Sequence, residues 1–116
     1  MADKKIIELV LRLGAKTEAG EIRWQEGFSE NEYLVSFPEY SVVIQYVRSR
    51  YGDDAAVQIS IRNDEGKIIE SVTDEDISVS DGIENVFGYM EVLLVNARRQ
   101  AMGVDVALDN ILAKLE

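Results

Sequence analysis

Hydrophobic and polar positions alternate with period two through the middle of the chain and recur with a helical period on either side of it. The clearest alternation sets Val57, Ile59 and Ile61 against Gln58, Ser60 and Arg62, the pattern of a strand with one buried face. The β-branched residues on that face favour the pleated conformation. Asn63-Asp64-Glu65-Gly66 then predicts a turn, because Asn and Asp bond nearby backbone and Gly accepts a positive φ. Lys67 to Val72 returns as the partner strand. Upstream, Tyr40, Val42, Ile44 and Tyr46 alternate with Ser41, Val43, Gln45 and Val47, and Tyr33, Val35 and Phe37 alternate with Leu34 and Ser36. Pro38, between those two runs, suits the first central position of a tight turn. Glu21 to Gln25 adds a short strand with Ile22 and Trp24 facing inward. The whole stretch from Glu21 to Val72 predicts a four- to five-stranded antiparallel β-meander, enough to be stable once helices cover it.

Asp3 to Leu13 predicts the first helix. Asp3 is its N-cap, and Ile6, Leu9, Val10 and Leu13 form an apolar stripe that Ile7 and Leu11 widen. Gly14 is the expected terminator, with Ala15 to Gly20 a connector. The width of the stripe leaves open which face of the sheet this helix covers. Asp81 and Glu84 form a capping-box pattern that opens a long helix. Ile83, Val86, Phe87, Met90, Leu93, Leu94, Ala97 and Ala101 continue its helical period. Gly103 breaks it, and Asp105 is the expected N-cap of a short last helix with Leu108, Ile111, Leu112 and Leu115 on one side. Two loops complete the reading. Glu26 to Asn31 is polar around Gly27, with Phe28 expected to staple it to the core, and Thr73 to Asp76 is an acidic linker. The expected fold is α+β in one domain, residues 1–116: an N-terminal helix, the meander, then a long and a short helix packed on one face of the sheet.

Composition narrows the classes of function. The chain of 116 residues is 47% hydrophobic, which supports a buried core and argues against disorder. It carries no cysteine, so disulfides, thiol nucleophiles and cysteine metal sites are excluded, and a reducing cytoplasm is the expected location. It carries no histidine, which removes imidazole acid–base chemistry, Ser-His-Asp triads and the usual zinc and non-haem iron sites. No apolar run approaches membrane-spanning length, and the N-terminus lacks a signal-peptide pattern. A net charge of −10, from 22 acidic and 12 basic residues, repels phosphate backbones and anionic membranes, so neither direct nucleic-acid binding nor membrane attachment is expected. The acidic residues are scattered, which favours a solubilising role over a nucleic-acid-mimicking array.

Candidate chemistry is sparse. Asp74-x-Asp76-x-Ser78-x-Ser80 begins like a calcium loop, but Val79 stands where the sharp-turn Gly is needed and Asn85 where a bidentate Glu belongs. No metal or cofactor is expected. The carboxylate pairs Glu30 and Glu32, Asp53 and Asp54, and Asp64 and Glu65 all fall at expected turns, which attract such residues for backbone reasons. Neither G-x-G-x-x-G nor a Walker pattern occurs. Arg98 and Arg99 are the candidate anion contact, although cations near a helix C-terminus also serve its dipole. Trp24, Tyr33, Phe37, Tyr40 and Tyr46 are read as cross-strand core aromatics in preference to a ligand pocket.

The run Gly20-Glu21-Ile22-Arg23-Trp24, the Ser-Phe-Pro-Glu-Tyr-Ser-Val run from Ser36, the Asn63 to Gly66 turn, Ala97-Arg98-Arg99-Gln100-Ala101, and Val104-Asp105-x-Ala107-Leu108 together resemble a group of small bacterial and phage proteins to which no activity is assigned. The likeness covers most of the chain and its motifs are structural. It implies a fold and a bacterial or phage origin, and no chemistry.

These readings point away from an enzyme and towards a protein–protein interaction module, as a homodimer or with another protein. Leu34, Val43 and Val47, on the sheet face opposite the helices, are the candidate interface, with Ile68 beside them, because apolar residues there interrupt a face that antiparallel sheets usually keep polar. The alternatives are an acidic inhibitor or nucleic-acid mimic of phage or mobile-element origin, and a carboxylate-dependent hydrolase.

Overall fold

Each strand of the meander hydrogen-bonds to the next one in sequence. The computed structural model describes residues 3–78 and 81–116. In it β1 (Gln25–Glu26), β2 (Glu32–Phe37), β3 (Tyr40–Arg48), β4 (Ala55–Asn63) and β5 (Ile68–Thr73) form one antiparallel sheet in the order β1-β2-β3-β4-β5. Helix α1 (Lys4–Glu18) precedes the sheet, and α2 (Val86–Met102) and α3 (Val104–Lys114) follow it. This is the α+β arrangement that the two periodicities imply.

The register carries the alternation across the sheet. Tyr33 pairs with Ile44 and Val35 with Val42. Val42, Ile44 and Tyr46 pair in turn with Ile61, Ile59 and Val57, and Ile59 with Val72. Directly paired residues share a face, so these side chains form one apolar surface. Ile7, Val10 and Leu13 of α1 and Met90, Leu93, Leu94 and Ala97 of α2 join the same buried cluster. Both helices therefore lie on one face, which answers the question the wide α1 stripe left open.

Trp24 closes one end of this core at 2% exposure. Its Nε1–H donates to Thr17 Oγ1 at 2.8 Å, and its backbone N–H donates to Gln100 Oε1 at 3.1 Å. One residue thus ties the last turn of α1, the start of the sheet and the end of α2 together, and its buried polar hydrogens have partners. Ile22 is only half-buried, and regular pairing begins at Gln25, later than the alternation from Glu21 suggests.

Several local expectations are corrected. Gly14 does not end α1, which runs on to Glu18. The reason lies in α2: a Cβ on Gly14 would stand 2.3 Å from Tyr89 Oη, whose hydroxyl donates to the Leu11 carbonyl oxygen at 2.9 Å. The glycine permits a close approach and does not mark a stop. Asp81 does not cap α2. Its carboxylate accepts from the Ser78 N–H, and Asn85 is the N-cap, accepting from the Gly88 N–H at 3.0 Å. Phe28 is 90% exposed and staples nothing. The acidic stretch after β5 is a single 3₁₀ turn, Asp74–Asp76, closed by a capping box with Thr73. The break at Gly103 is present, with φ 66° in the left-handed region that glycine tolerates. Asp105, however, lies inside the first turn of α3 and does not cap it.

Candidate interaction surface

The sheet face opposite the helices is less open than its sequence suggests. Register and alternation put Glu32, Leu34, Ser41, Val43, Gln45, Val47, Ala56, Ser60 and Arg62 on it. Yet Val43 is completely buried, and Ser60, Ala56 and Glu32 are nearly so. Arg62 on β4 and Glu32 on β2 meet here, with Nη1 and Nη2 of the guanidinium each 3.4 Å from a carboxylate oxygen. Arg62 pairs in register with Ser41 and Glu32 with Gln45, and Val43 lies between those two positions on β3. The ion pair therefore crosses the middle strand over Val43. The β1–β2 loop adds cover, because the Phe28 N–H donates to Glu32 Oε1 at 3.3 Å. Val43 is thereby withdrawn from any partner, which corrects its assignment to an exposed interface. Leu34 and Val47 are half-buried, Ile68 is 50% exposed, and the apolar patch they were to form with Val43 is interrupted at its centre.

Arg98 and Arg99 do not act as a pair. Arg99 reaches across the Gly103 elbow to Asp105 Oδ1 at 2.6 Å, and Arg98 lies exposed on another side of α2. The first is a brace between α2 and α3, so an anion would have to displace Asp105 to use both.

The acidic groups near β5 are engaged by internal donors. Asp74 Oδ1 accepts from the Val57 N–H at 2.8 Å. Glu75 accepts from the Ser49 hydroxyl and from the Arg50 N–H, and Asp76 accepts from the Thr73 N–H and, at 2.5 Å, from Arg50 Nη2. The Ser49 hydroxyl holds Glu75 below its ordinary carboxylate value, against partial desolvation and with help from Arg50. For Asp76 burial pushes the other way, and the Thr73 N–H and the Arg50 guanidinium outweigh it, so its carboxyl is also lowered. These hydrogen bonds turn the calcium-like run into a structural turn. Ser80, its last position, lies outside the described residues. Among the described residues no group of three or more acidic, cysteine or histidine side chains could hold a metal ion. Of the suspected carboxylate pairs, Glu32 is committed to Arg62, and Asp53 pairs with Arg48 at 3.3 Å on open surface.

The aromatics divide in the same way. Trp24 and Tyr33 are in the core, whereas Phe37, Tyr40 and Tyr46 are 42%, 48% and 40% exposed. Phe37 and Tyr40 face each other across the turn at Pro38, where Glu39 takes φ 71°, the left-handed second position of a type II turn. Tyr46 donates its hydroxyl proton to Glu91 Oε2 at 2.8 Å, linking β3 to α2; partial burial, then this bond and the carboxylate charge, raise its pKa. Trp24 and Tyr46 line separate pockets.

The unpartnered apolar surface lies at the other end of the chain. α3 buries none of its residues. Leu108, Ile111, Leu112 and Leu115 fall at i, i+3, i+4 and i+7, one stripe of a helix, and are 45%, 55%, 61% and 75% exposed. Met102, Val95 and Val92 extend exposed apolar surface back along α2. Beside Val92 lies a groove of about 660 Å³ between α1 and α2. Leu11, Tyr89, Val92 and the buried Leu93 give it apolar walls, with Tyr89 packed into the space a Cβ on Gly14 would need and Asn85 into that of Gly88. The sequence showed the α3 stripe but gave no sign that it would lack cover. No sequence signal marked the groove, because its walls come from segments more than sixty residues apart. The long axis of the molecule, 52 Å against 33 and 28 Å, fits an elongated shape. No helix of the described residues is long and apolar enough to cross a membrane.

No protein-family model, curated protein or solved structure matches the chain.

Proposed function

We propose that this protein is a non-enzymatic protein–protein interaction module that acts as a homodimer in the cytoplasm, with the α2–α3 arm as its contact surface. The observation that supports it is a helix with an apolar stripe and nothing on that stripe. An isolated helix of 11 residues is marginal in water, and helices in proteins draw most of their stability from a packed apolar face. Contiguous exposed apolar surface of this kind marks an interaction site. The cytoplasmic assignment rests on a chain without cysteine. The contact surface moves from the sheet face, where the Glu32–Arg62 pair covers Val43, to the helical arm.

Sedimentation velocity across a concentration series tests this. The wild type is expected to sediment as a dimer, and Ile111→Glu with Leu112→Glu as a monomer with unchanged tryptophan emission. Val47→Glu, on the sheet face, is expected to leave the dimer intact. A wild type that stays monomeric at the highest concentration defeats the homodimer reading.

A further inference from the structure

The sheet ends in β1 on one side and β5 on the other. β1 is two residues long, and a strand that short offers little for another chain to pair with. β5 has six residues, and its Ile68 and Ile69 are 50% and 51% exposed. Its run Ile68-Ile69-Glu70-Ser71-Val72-Thr73 is rich in β-branched residues, a composition that favours strand pairing. The direction of each ladder group on this edge follows from β4. Val57 N–H donates to Asp74 Oδ1 at 2.8 Å, and Asp74 directly follows β5, so Val57 turns its N–H towards β5. Ladder groups alternate in direction along an antiparallel strand. Ile59 and Ile61 therefore also face β5, and their partners Val72 and Glu70 face back. Ser71 and Thr73, at the alternate positions, aim their N–H groups out of the sheet.

Both outward donors are already taken. Ser71 N–H donates to Glu70 Oε1 at 3.0 Å, and Thr73 N–H to Asp76 Oδ2 at 2.9 Å. Asp76 is itself anchored by Arg50 Nη2 at 2.5 Å, which keeps its carboxylate over the end of the edge. A β-bulge between Ile61 and Arg62 leaves Ile69 without a partner across the ladder and bends the strand there. We infer that β5 is a strand-addition edge held shut by Glu70 and Asp76, and that releasing it lets β5 of a second copy pair with it antiparallel.

The strand is self-complementary once it is open. A two-fold axis through Ser71 sets this small residue opposite its own copy, and each outward N–H meets a carbonyl oxygen. The same register sets Glu70 opposite Val72, so like charges do not stand directly across from each other. While the carboxylates are in place, an incoming strand has to displace two charge-assisted hydrogen bonds before it forms its own. Charges on an edge are a common defence against open-ended pairing. A chain with one two-fold contact closes as a dimer, whereas a second such contact links dimers without end. The β5 edge is separate from the α2–α3 arm, and its closure applies to a monomer as to a dimer.

Sedimentation velocity of Glu70→Val across a concentration series tests the inference. Glu65→Val, in the β4–β5 turn, is the control: it removes the same charge and adds the same side chain but frees no ladder N–H. Glu70→Val is expected to associate beyond the wild-type state at a concentration about tenfold or more below that of Glu65→Val, because each freed donor is used twice across the two-fold. Glu70→Thr, too short to reach the amide in the same way, gives the reading if Glu70→Val does not fold. Ser71→Pro, added to Glu70→Val, deletes the outward N–H and breaks no bond to β4, as an edge position allows. It is expected to return association to the control level, with Trp24 emission reporting that the fold persists. Ser71→Cys in the Glu70→Val background is a second readout, since the chain has no thiol of its own; oxidation of the associated state is expected to link two chains through it. Equal association of Glu70→Val and Glu65→Val means that the carboxylate shuts nothing and overturns the inference. Association that survives Ser71→Pro, or that gives no link through Ser71→Cys, runs through another surface and overturns it equally.

Discussion

Gly14→Ala has opposite expected effects depending on one residue of α2. In an isolated helix the change stabilises by about 1 kcal/mol, the difference in propensity between Gly and Ala. Here the new Cβ would stand 2.3 Å from Tyr89 Oη and 2.7 Å from Cζ, distances no side chain tolerates, so the phenol must swing away. It then loses its hydrogen bond to the Leu11 carbonyl oxygen, about 1 kcal/mol. It also loses part of its packing on α1, roughly 1–2 kcal/mol for a half-buried ring. The propensity gain is outweighed, and Gly14→Ala is expected to destabilise the protein by about 1 kcal/mol. In a Tyr89→Leu background the obstacle is gone, and the same change is expected to stabilise by about 1 kcal/mol. The coupling of about 2 kcal/mol lies within the range for residues in contact. Urea unfolding of the four proteins, followed by Trp24 emission at one fixed protein concentration, measures it. Equal effects of Gly14→Ala in the two backgrounds, within about 0.5 kcal/mol, would mean that Tyr89 does not hold this glycine in place.

Trp24→Ala is expected to cost about 3–5 kcal/mol, the range for truncating a core aromatic, and the wild-type emission is expected to be blue-shifted until urea unfolds the protein. Asp105→Ala is expected to change stability by less than about 0.5 kcal/mol, because its ion pair with Arg99 is largely exposed; a loss of about 1 kcal/mol or more in thermal unfolding would mean that it caps α3 after all. The lowered carboxyls of Glu75 and Asp76 contribute stability above the unfolded carboxylate range, near pH 4, and lose it as pH falls through their folded values. Arg50→Met removes a guanidinium that donates to Asp76 and forms an ion pair with Glu75 at 3.7 Å, so the fall in urea midpoint between pH 7 and pH 3 is expected to be smaller in the variant, and an unchanged fall would exclude Arg50 from that dependence.

The meander was legible in the chain because strand alternation is a local property, and Val42, Ile44, Ile59 and Ile61 carry it without help from distant residues. Trp24 was legible as an anchor for the same reason, although its partners Thr17 and Gln100 were not. What the sequence did not show depends on contacts between remote segments. Gly14 looks like a helix stop because its local preference is strong, and its purpose lies in a tyrosine on another helix. Val43 points away from the helices, as its parity requires, yet it is buried by an ion pair between residues thirty positions apart. Asp81 and Asp105 both stood where a cap belongs, and each is occupied by a different partner. The α3 stripe was read correctly as one apolar side, but periodicity reports only that a side is apolar and not whether anything covers it.

The sequential strand order has a consequence for how the chain acquires its fold. Hairpin can follow hairpin as β2, β3, β4 and β5 become available, because each strand's partner is its neighbour in sequence, and such short-range closures are fast. The covering layer is not sequential. Val86, Met90, Leu93 and Ala97 are made after the whole sheet, and the bond from Trp24 to Gln100 joins residues 76 positions apart. During synthesis, an assembled sheet would therefore expose Ile44, Ile59 and Val72 to water on the side where α2 will later sit. A growing chain that stops before residue 86 is expected to be aggregation-prone, and one that reaches residue 102 is expected to close quickly around a sheet already built.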